Sequence, residues 1–243
     1  MANLAGSTII ARAADVLQDS SNVRWPLAEQ TRWINSGQRE IVLLRPDAKT
    51  LNASVTLVAG TKQALPTAGL KLIDVVRNMG VAGTTPGNVI RPIAREVLDA
   101  QIPTWHVDAN TSGVIKHFTF DLRDPKRYYV YPLVPATPVV QVEIVYSLAP
   151  TNLTDGASLI DLDDIYEGPL LNYLLFRGYS KDAEYAGDAN KATMYYNLFL
   201  AGLGIKTRVD MAVSPNSNVR VLNPNVPERS AVQNQPGVTG GGA

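Results

Sequence analysis

Few residues in this 243-residue chain could carry acid–base or nucleophilic chemistry. The sequence contains two histidines, His106 and His117, and no cysteine. Because histidine changes charge near neutral pH, a hydrolase that uses one of the two as its base is one hypothesis. Neither stands in an HExxH motif or at the spacing of a His–Cys zinc site. We favour a structural role for both and predict that the chain is not an enzyme and needs no catalytic residue or cofactor.

The densest group of acidic residues comprises Asp161, Asp163, Asp164 and Glu167. Carboxylates so close together could bind a hard cation such as calcium or magnesium. The spacing is not that of an EF-hand loop, however, and the central glycine of that loop is missing. Acidic residues also stabilise the N-terminus of a helix through its dipole. We therefore interpret the group as helix N-terminal charge and predict no metal site.

Four aromatic residues, Trp105, Tyr128, Tyr129 and Tyr131, lie between residues 100 and 135. Such side chains could stack on sugars or bases. Aromatic residues are also typical of an ordinary pleated strand. A ligand- or glycan-binding β module is accordingly the alternative function.

Three basic residues, Arg123, Lys126 and Arg127, flank an Asp-Pro dipeptide that predicts a turn. In a monomer they would be ordinary turn charges. In a ring whose channel passes DNA they would be the candidate channel residues, or a basic patch.

The composition excludes several classes of protein. With 45% hydrophobic and 18% charged residues, the chain is not typical of a disordered protein. Its net charge of zero excludes bulk attraction to nucleic acid or anionic membranes as the main driving force. The absence of cysteine excludes a disulfide scaffold. Neither a leader peptide nor a membrane span is evident, so we expect a soluble protein made in a cytosol. The low charge predicts that part of the surface contacts other subunits.

Helical periodicity marks the first 50 residues. A first helix is predicted around Ile10–Leu17. A second begins near Pro26, and one stripe of its residues recurs at steps of three and four: Leu27, Gln30, Ile34, Gly37, Ile41 and Leu44. A glycine inside a helix costs up to about 1 kcal/mol, so Gly37 predicts the close approach of another element.

Between residues 51 and 150 the period changes to two, which predicts an antiparallel sheet or small sandwich. Gly60 and Thr61 are interpreted as a hairpin tip. The clearest alternation runs from Val140 to Tyr146. A second hairpin is predicted to turn at residues 122–126.

Helical spacing returns in residues 151–213. One helix is predicted through Leu170 and Tyr179, with a break at Gly187 and Asp188, and another through Tyr196 and Phe199. Packing of the first and last helices against each other would cover both apolar stripes. The predicted class is therefore α+β, a helical bundle from the N- and C-terminal helices with an inserted antiparallel β region.

The last segment, residues 214–243, is rich in proline and asparagine and carries only three charged residues, Arg220, Glu228 and Arg229. It cannot bury enough apolar surface to fold alone. Its scattered aliphatic residues are typical of an extended arm that lies on a partner surface.

Three segments resemble one known family. The first, in residues 24–48, reads RWP followed by WINSGQREIVLLRPDA. The second, in residues 120–132, reads FDLRDPKRYYVYP. The third begins at residue 177, reads RGYSKDAEYA and is followed by Ala192, Tyr196 and Phe199. Together they resemble the head-to-tail adaptor (connector) proteins of short-tailed bacteriophages, over about residues 7–205.

The resemblance implies a structural virion protein of the phage neck that is assembled in the host cytoplasm without a membrane. Its homo-oligomer would be a ring, usually a dodecamer, below the portal protein. The ring would continue the DNA channel, join it to nozzle or tail proteins, and let double-stranded DNA pass without sequence-specific binding.

The resemblance also implies roles for particular residues. Core or subunit contacts would come from Trp33, Ile34, Ile41 and Leu44. Arg177, Lys181 and Asp182 would make polar contacts within or between subunits, although solvated helix charges are an equal alternative. An extended C-terminal arm that reaches the portal is also implied, although no motif covers residues 214–243. Our own candidates for its contacts with the portal, or with a neighbouring subunit, are the spaced prolines and aliphatic residues Pro215, Val219, Val221, Leu222, Pro224, Val226 and Pro227.

Overall fold

The computed structural model of the chain describes residues 4–107, 111–182 and 186–213. The chain divides into two units, Met1–Leu203 and Gly204–Ala243. The predicted arm, with all seven of its candidate contact residues, lies outside the described residues. Among the described residues, no helix has the length and apolar character needed to cross a membrane.

Five helices and seven strands make up the described chain. The helices are α1 (Gly6–Leu17), α2 (Leu27–Leu44), α3 (Arg95–Gln101), α4 (Glu167–Lys181) and α5 (Ala186–Val213). The strands are β1 (Thr50–Thr56), β2 (Gly60–Ala64), β3 (Gly69–Asn78), β4 (Arg91–Pro92), β5 (His117–Phe120), β6 (Arg127–Val134) and β7 (Gln141–Leu148). The α+β class is therefore confirmed.

Helices from both ends of the chain share one hydrophobic core. Apolar residues at helical spacing place a buried face on each of α1, α2, α4 and α5, and these faces form a single cluster. Its fully buried members include Ile9, Ile34, Ile41, Leu170 and Phe199. The N- and C-terminal helices thus pack together, as the sequence predicts.

Gly37 lies where α2 is in close contact with α4. A methyl group built on Gly37 would lie 2.9 Å from Tyr173 Cδ1 and 3.2 Å from Leu170 Cδ2. The predicted close approach is confirmed, and α4 is the element that makes it.

The strands form two sheets, one with the order β1-β7-β3 and one with the order β2-β6-β5-β4. All pairings are antiparallel except the two-residue contact of β4 with β5. Alternate residues of β7, including Val142, Ile144 and Tyr146, are buried, as the sequence predicts. Buried side chains from both sheets form one second cluster, so the β region is a small sandwich. The hairpin with its turn at residues 122–126 is also confirmed, between β5 and β6.

The prediction of a hairpin tip at Gly60 and Thr61 is wrong. These residues begin β2, which lies in a different sheet from β1. The Gln63 side chain explains how the chain crosses between the sheets: it accepts a hydrogen bond from Val58 N and donates one to Val58 O, both at 2.8 Å. A side chain thus replaces the cross-strand backbone partner that a hairpin would have provided.

The predicted break at Gly187 and Asp188 is also misplaced. Helix α4 ends at Lys181 and α5 begins at Ala186, so both residues lie in the first turn of α5. An aspartate is favourable there because it faces the positive end of the helix dipole. Asp188 also forms an ion pair with Lys191 at 3.5 Å, one helical turn further on.

Candidate interaction surfaces

The first and third motif segments meet in space, although about 150 residues separate them in the chain. The turn after α1 is held by Asp19, whose carboxylate accepts hydrogen bonds from the backbone N–H groups of Val23, Arg24 and Trp25. These bonds, that from Trp25 above all, lower the pKa of Asp19. The turn thereby presents Arg24 and Trp25 towards the end of α4.

Three contacts join this turn and the start of α2 to the end of α4. Trp25 is buried and its indole N–H donates to Gly178 O at 3.3 Å. Arg24 forms an ion pair with Asp182 at 2.9 Å. Lys181 donates to Glu29 of α2 at 2.6 Å. The structure thus places Lys181 and Asp182 in contacts within the subunit, whereas Arg177 is exposed.

The four candidate apolar contact residues of α2 fall into two groups. Trp33, Ile34 and Ile41 are buried in the helical core. Leu44, at the end of the helix, is 46% exposed, and its neighbour Leu43 is 79% exposed. The end of α2 therefore leaves two leucine side chains exposed, while its middle belongs to the core.

A cleft of about 470 Å³ lies beside this exposed end of α2. Glu40 stands in it and accepts a hydrogen bond from the Tyr196 hydroxyl at 2.8 Å. Burial, together with the Glu40 charge, raises the pKa of Tyr173 to about 12, so this hydroxyl stays protonated. The cleft is lined by Ser36, Arg39, Glu40, Leu43, Leu44, Tyr173 and Tyr196.

Arg45 fastens the end of α2 to α5. It is 7% exposed, forms an ion pair with Asp47 and donates a hydrogen bond to Leu203 O at 3.2 Å. A buried guanidinium needs such partners, because burying a charge without them is costly. The first motif segment includes Arg45, but the sequence did not predict its contact with α5, because that partner is 158 residues away.

The candidate channel residues Arg123, Lys126 and Arg127 are all exposed at the turn between β5 and β6. Arg123 pairs with Asp121 at 2.7 Å, and this hydrogen bonding lowers the pKa of Asp121 to about 2. Because the turn also contains Asp124, residues 121–127 carry three basic and two acidic side chains, a net charge of +1.

The two histidines have separate surroundings. The Nδ1 atom of His106 lies 2.8 Å from the hydroxyl of Thr61, and burial lowers the pKa of the histidine. A hydroxyl beside a histidine is a feature of nucleophilic sites, but Thr61 is only 6% exposed, so its hydroxyl is shielded from a substrate. His117 lies in β5, and its Nδ1 is buried without a hydrogen-bond partner among the described residues.

The acidic residues before α4 point to different partners. Asp161 accepts hydrogen bonds from Lys49 and from Thr151 N, whereas Asp163 accepts one from Ile165 N. Glu167 pairs with Arg12 of α1 at 2.5 Å. Within the described part of the chain, no three His, Cys, Asp or Glu residues are grouped so that they could hold a metal ion.

Two of the four aromatics considered for glycan binding belong to the interior. Trp105 and Tyr128 are each 1% exposed, and the Trp105 indole donates to Asp99 at 2.8 Å. Tyr129 and Tyr131 are half-buried on β6. The four residues therefore do not form one exposed stacking platform.

Comparison with known proteins gives one family. The family model described as SU10 adaptor protein matches residues 5–221, which is most of the chain. No curated protein matches this chain. The matched range includes all three motif segments and both hydrophobic clusters.

Proposed function

The chain belongs to the SU10 adaptor protein family, a family of bacteriophage adaptors, and on this basis we propose that it is the head-to-tail adaptor of its virion. Its copies form a dodecameric ring below the portal, which continues the DNA channel and joins it to nozzle or tail proteins. The family match over residues 5–221 is the observation that carries this proposal.

The contacts of the helical body support a structural role. Ion pairs and a buried tryptophan hold its two halves together within the subunit. Exposed apolar side chains on α2 and α5, such as Leu43 and Leu198, are then available for contacts between subunits. Ring closure would bury such residues and account for the low fraction of charged residues.

The arm, residues 214–243, connects the ring to the portal. Its few charges and spaced aliphatic residues suit a segment that orders on a partner surface. The basic turn with Arg123, Lys126 and Arg127 faces the channel and lets double-stranded DNA slide past without reading its sequence. Assembly takes place in the host cytoplasm, and the finished ring resides in the virion neck.

Electron microscopy of the full-length chain mixed with the portal protein of the same virus tests the ring. We expect a twelve-fold ring stacked on the portal.

A chain that ends at residue 213 should bind the portal far more weakly, because it lacks the arm. A chain that ends at residue 229 is the matched control, since it keeps every arm residue singled out above. Full portal binding by the shorter chain would contradict the role of the arm, and absence of any ring would contradict the adaptor assembly.

A further inference from the structure

The sheet edges of this protein are protected unequally. Unpaired backbone groups at an edge strand recruit other strands, so proteins usually protect edges with charges, bulges, prolines or short strands. Edge strand β3 has three irregularities in its pairing with β7 and carries Lys71, Asp74 and Arg77. At the edges of the other sheet, β2 has one irregularity and Lys62, and β4 is two residues long with Pro92.

Edge strand β1 has none of these protections. It is seven residues long, reads TLNASVT and therefore contains neither charge nor proline. Its pairing with β7 runs without a bulge from Thr50 to Thr56. A long, regular and uncharged edge strand is the type that pairs with an incoming strand.

The register shows which backbone groups of β1 are open. Lys49 O accepts from Leu148 N and Leu57 N donates to Val140 O, so the odd-numbered residues of β1 bond to β7. Because antiparallel pairing alternates, the even-numbered residues point their N–H and C=O groups away from β7. These are Thr50, Asn52, Ser54 and Thr56, all of which are exposed. Within the described residues, no hydrogen bond reaches their backbone groups.

The arm contains a segment that suits this edge. Residues 218–222 read NVRVL, in which Val219 and Val221 alternate with polar residues, and Pro215 and Pro224 bound the segment on either side. Alternating β-branched residues between prolines predict a short strand. Five extended residues span about 17 Å, which fits along the seven-residue edge of β1.

We propose that residues 218–222 of a second copy of this chain add to the β1 edge as a fourth strand of the β1-β7-β3 sheet. This proposal rests on the proposed ring. In a closed ring each copy donates one strand and accepts one, so that no open β1 edge is left. The arm residues beyond Leu222, including Pro224, Val226 and Pro227, then remain for the portal.

Disulfide trapping tests the pairing directly, because the natural chain has no cysteine. One full-length variant carries Ser54→Cys, and a series of others carries a single cysteine at each position from 218 to 222. Each arm variant is mixed with S54C and the portal protein, oxidised, and analysed by mass spectrometry for disulfides between the two variants. Electron microscopy of the same samples reports whether rings have formed.

We expect crosslinks at every second arm position only, because side chains in a strand alternate between the two faces of the sheet. Lys62→Cys on the protected β2 edge is the matched control and should give background crosslinking. Rings without crosslinks, or crosslinks at all arm positions alike, would overturn the pairing and leave the adaptor role intact. Absence of rings would overturn the adaptor assembly and this proposal with it. A further variant carries both Ser54→Cys and an arm cysteine in one chain. If its disulfides form only within a chain, and the mixed single-cysteine variants form none, the exchange of strands between copies is overturned.

A proline substitution provides a second test. Ser54→Pro removes an outward N–H while leaving the bonds between β1 and β7 in place. In a chain whose single cysteine is Asn52→Cys, the added Ser54→Pro should abolish the crosslinks to the arm cysteines. The added Ser54→Ala, which keeps the N–H, should leave these crosslinks unchanged. Adjacent residues of a strand point their N–H groups to opposite sides, so one of the two arm variants Arg220→Pro and Val221→Pro should cause the same loss. If Ser54→Pro and both arm variants crosslink like their parents, the pairing is overturned.

Discussion

The helical core and the sheet core of this protein are assembled in opposite ways. Buried residues of the helical core extend from Ile9 to Leu203, with the entire β region between its two halves. Those of the sheet core extend from Leu57 to Tyr146 without such an interruption. The helical core therefore depends on contacts between distant parts of the chain, which are the costlier contacts to close.

The two cores also differ in how they treat buried polar groups. In the helical core, Gln38 is fully buried and accepts a hydrogen bond from Asp161 N at 2.9 Å. In the sheet region, Asn78 donates to Ile115 O and accepts from Ile115 N, both at 2.8 Å. One amide thus fastens a connecting segment to a helix, whereas the other replaces a stretch of strand pairing. In both cores, polar side chains thus supply the links that regular secondary structure leaves out.

The largest expected effect is in the helical core. Phe199→Ala should lower the free energy of unfolding by about 3–5 kcal/mol, because Phe199 is fully buried and joins α5 to the core. Urea denaturation followed by circular dichroism measures this. The adjacent Leu198→Ala, at a residue that is 46% exposed, should stay within about 0.5 kcal/mol. Equal effects of the two substitutions would contradict the position of α5 in the helical core.

The next largest loss of stability is expected when the two buried amide side chains are replaced by alanine. Asn78→Ala should cost about 3 kcal/mol, because it leaves both the N–H and the C=O of Ile115 without a partner. Gln38→Ala, which leaves only Asp161 N without one, should cost about 1–2 kcal/mol. Denaturation curves of both variants give the difference. A larger loss for Gln38→Ala would reverse the comparison.

A smaller effect is expected at the contact between α2 and α4. Gly37→Val should cost about 1–3 kcal/mol, because its side chain would press on Tyr173 and Leu170. Gly204→Ala in α5 is the matched control, since nothing lies within 4 Å of a methyl group built there. It should raise stability by up to about 1 kcal/mol through helix propensity. Thermal melting distinguishes the two, and a stabilising Gly37→Val would refute the tight contact.

The smallest expected effect is on the stability of the folded protein at low pH. The pKa of Asp19 is lowered in the folded protein, chiefly by the hydrogen bond from Trp25 N. Its contribution to stability is therefore complete above the unfolded pKa of about 3.9 and is lost as the pH falls through the folded pKa. Asp19→Asn should reduce stability at pH 7 and flatten its decline below about pH 4. Melting temperatures between pH 7 and pH 2 test this, and parallel curves for both proteins would contradict it.

Much of the fold could be predicted from local patterns. The helical stripe of α2 and the alternation of β7 each follow from one period along the chain, and Gly37 indicated a close approach. The hairpin prediction failed because a side chain takes the place of a backbone partner. Gly60 resembles a hairpin tip, but the Gln63 side chain takes over the backbone partner of Val58 and sends β2 to the other sheet.

The candidate contact residues show the same limit. Spacing predicts that Ile41 and Leu44 share a face of α2, yet Ile41 is fully buried and Leu44 is 46% exposed. The difference arises because neighbouring elements cover the middle of α2 and leave its end open. Arg45 lies in the first motif segment, yet spacing along the chain does not predict its burial, because one of its partners is the carbonyl group of Leu203.

The α+β class follows from local periods along the chain, the absence of cysteine chemistry from its composition, and the family from the three motif segments that resemble phage adaptors. The pairing of Lys181 and Asp182 within the subunit and the unprotected edge at β1 emerge only in the folded chain. The physical reason is that ion pairing and edge exposure depend on which distant segments come to lie beside a residue, and spacing along the chain does not encode this.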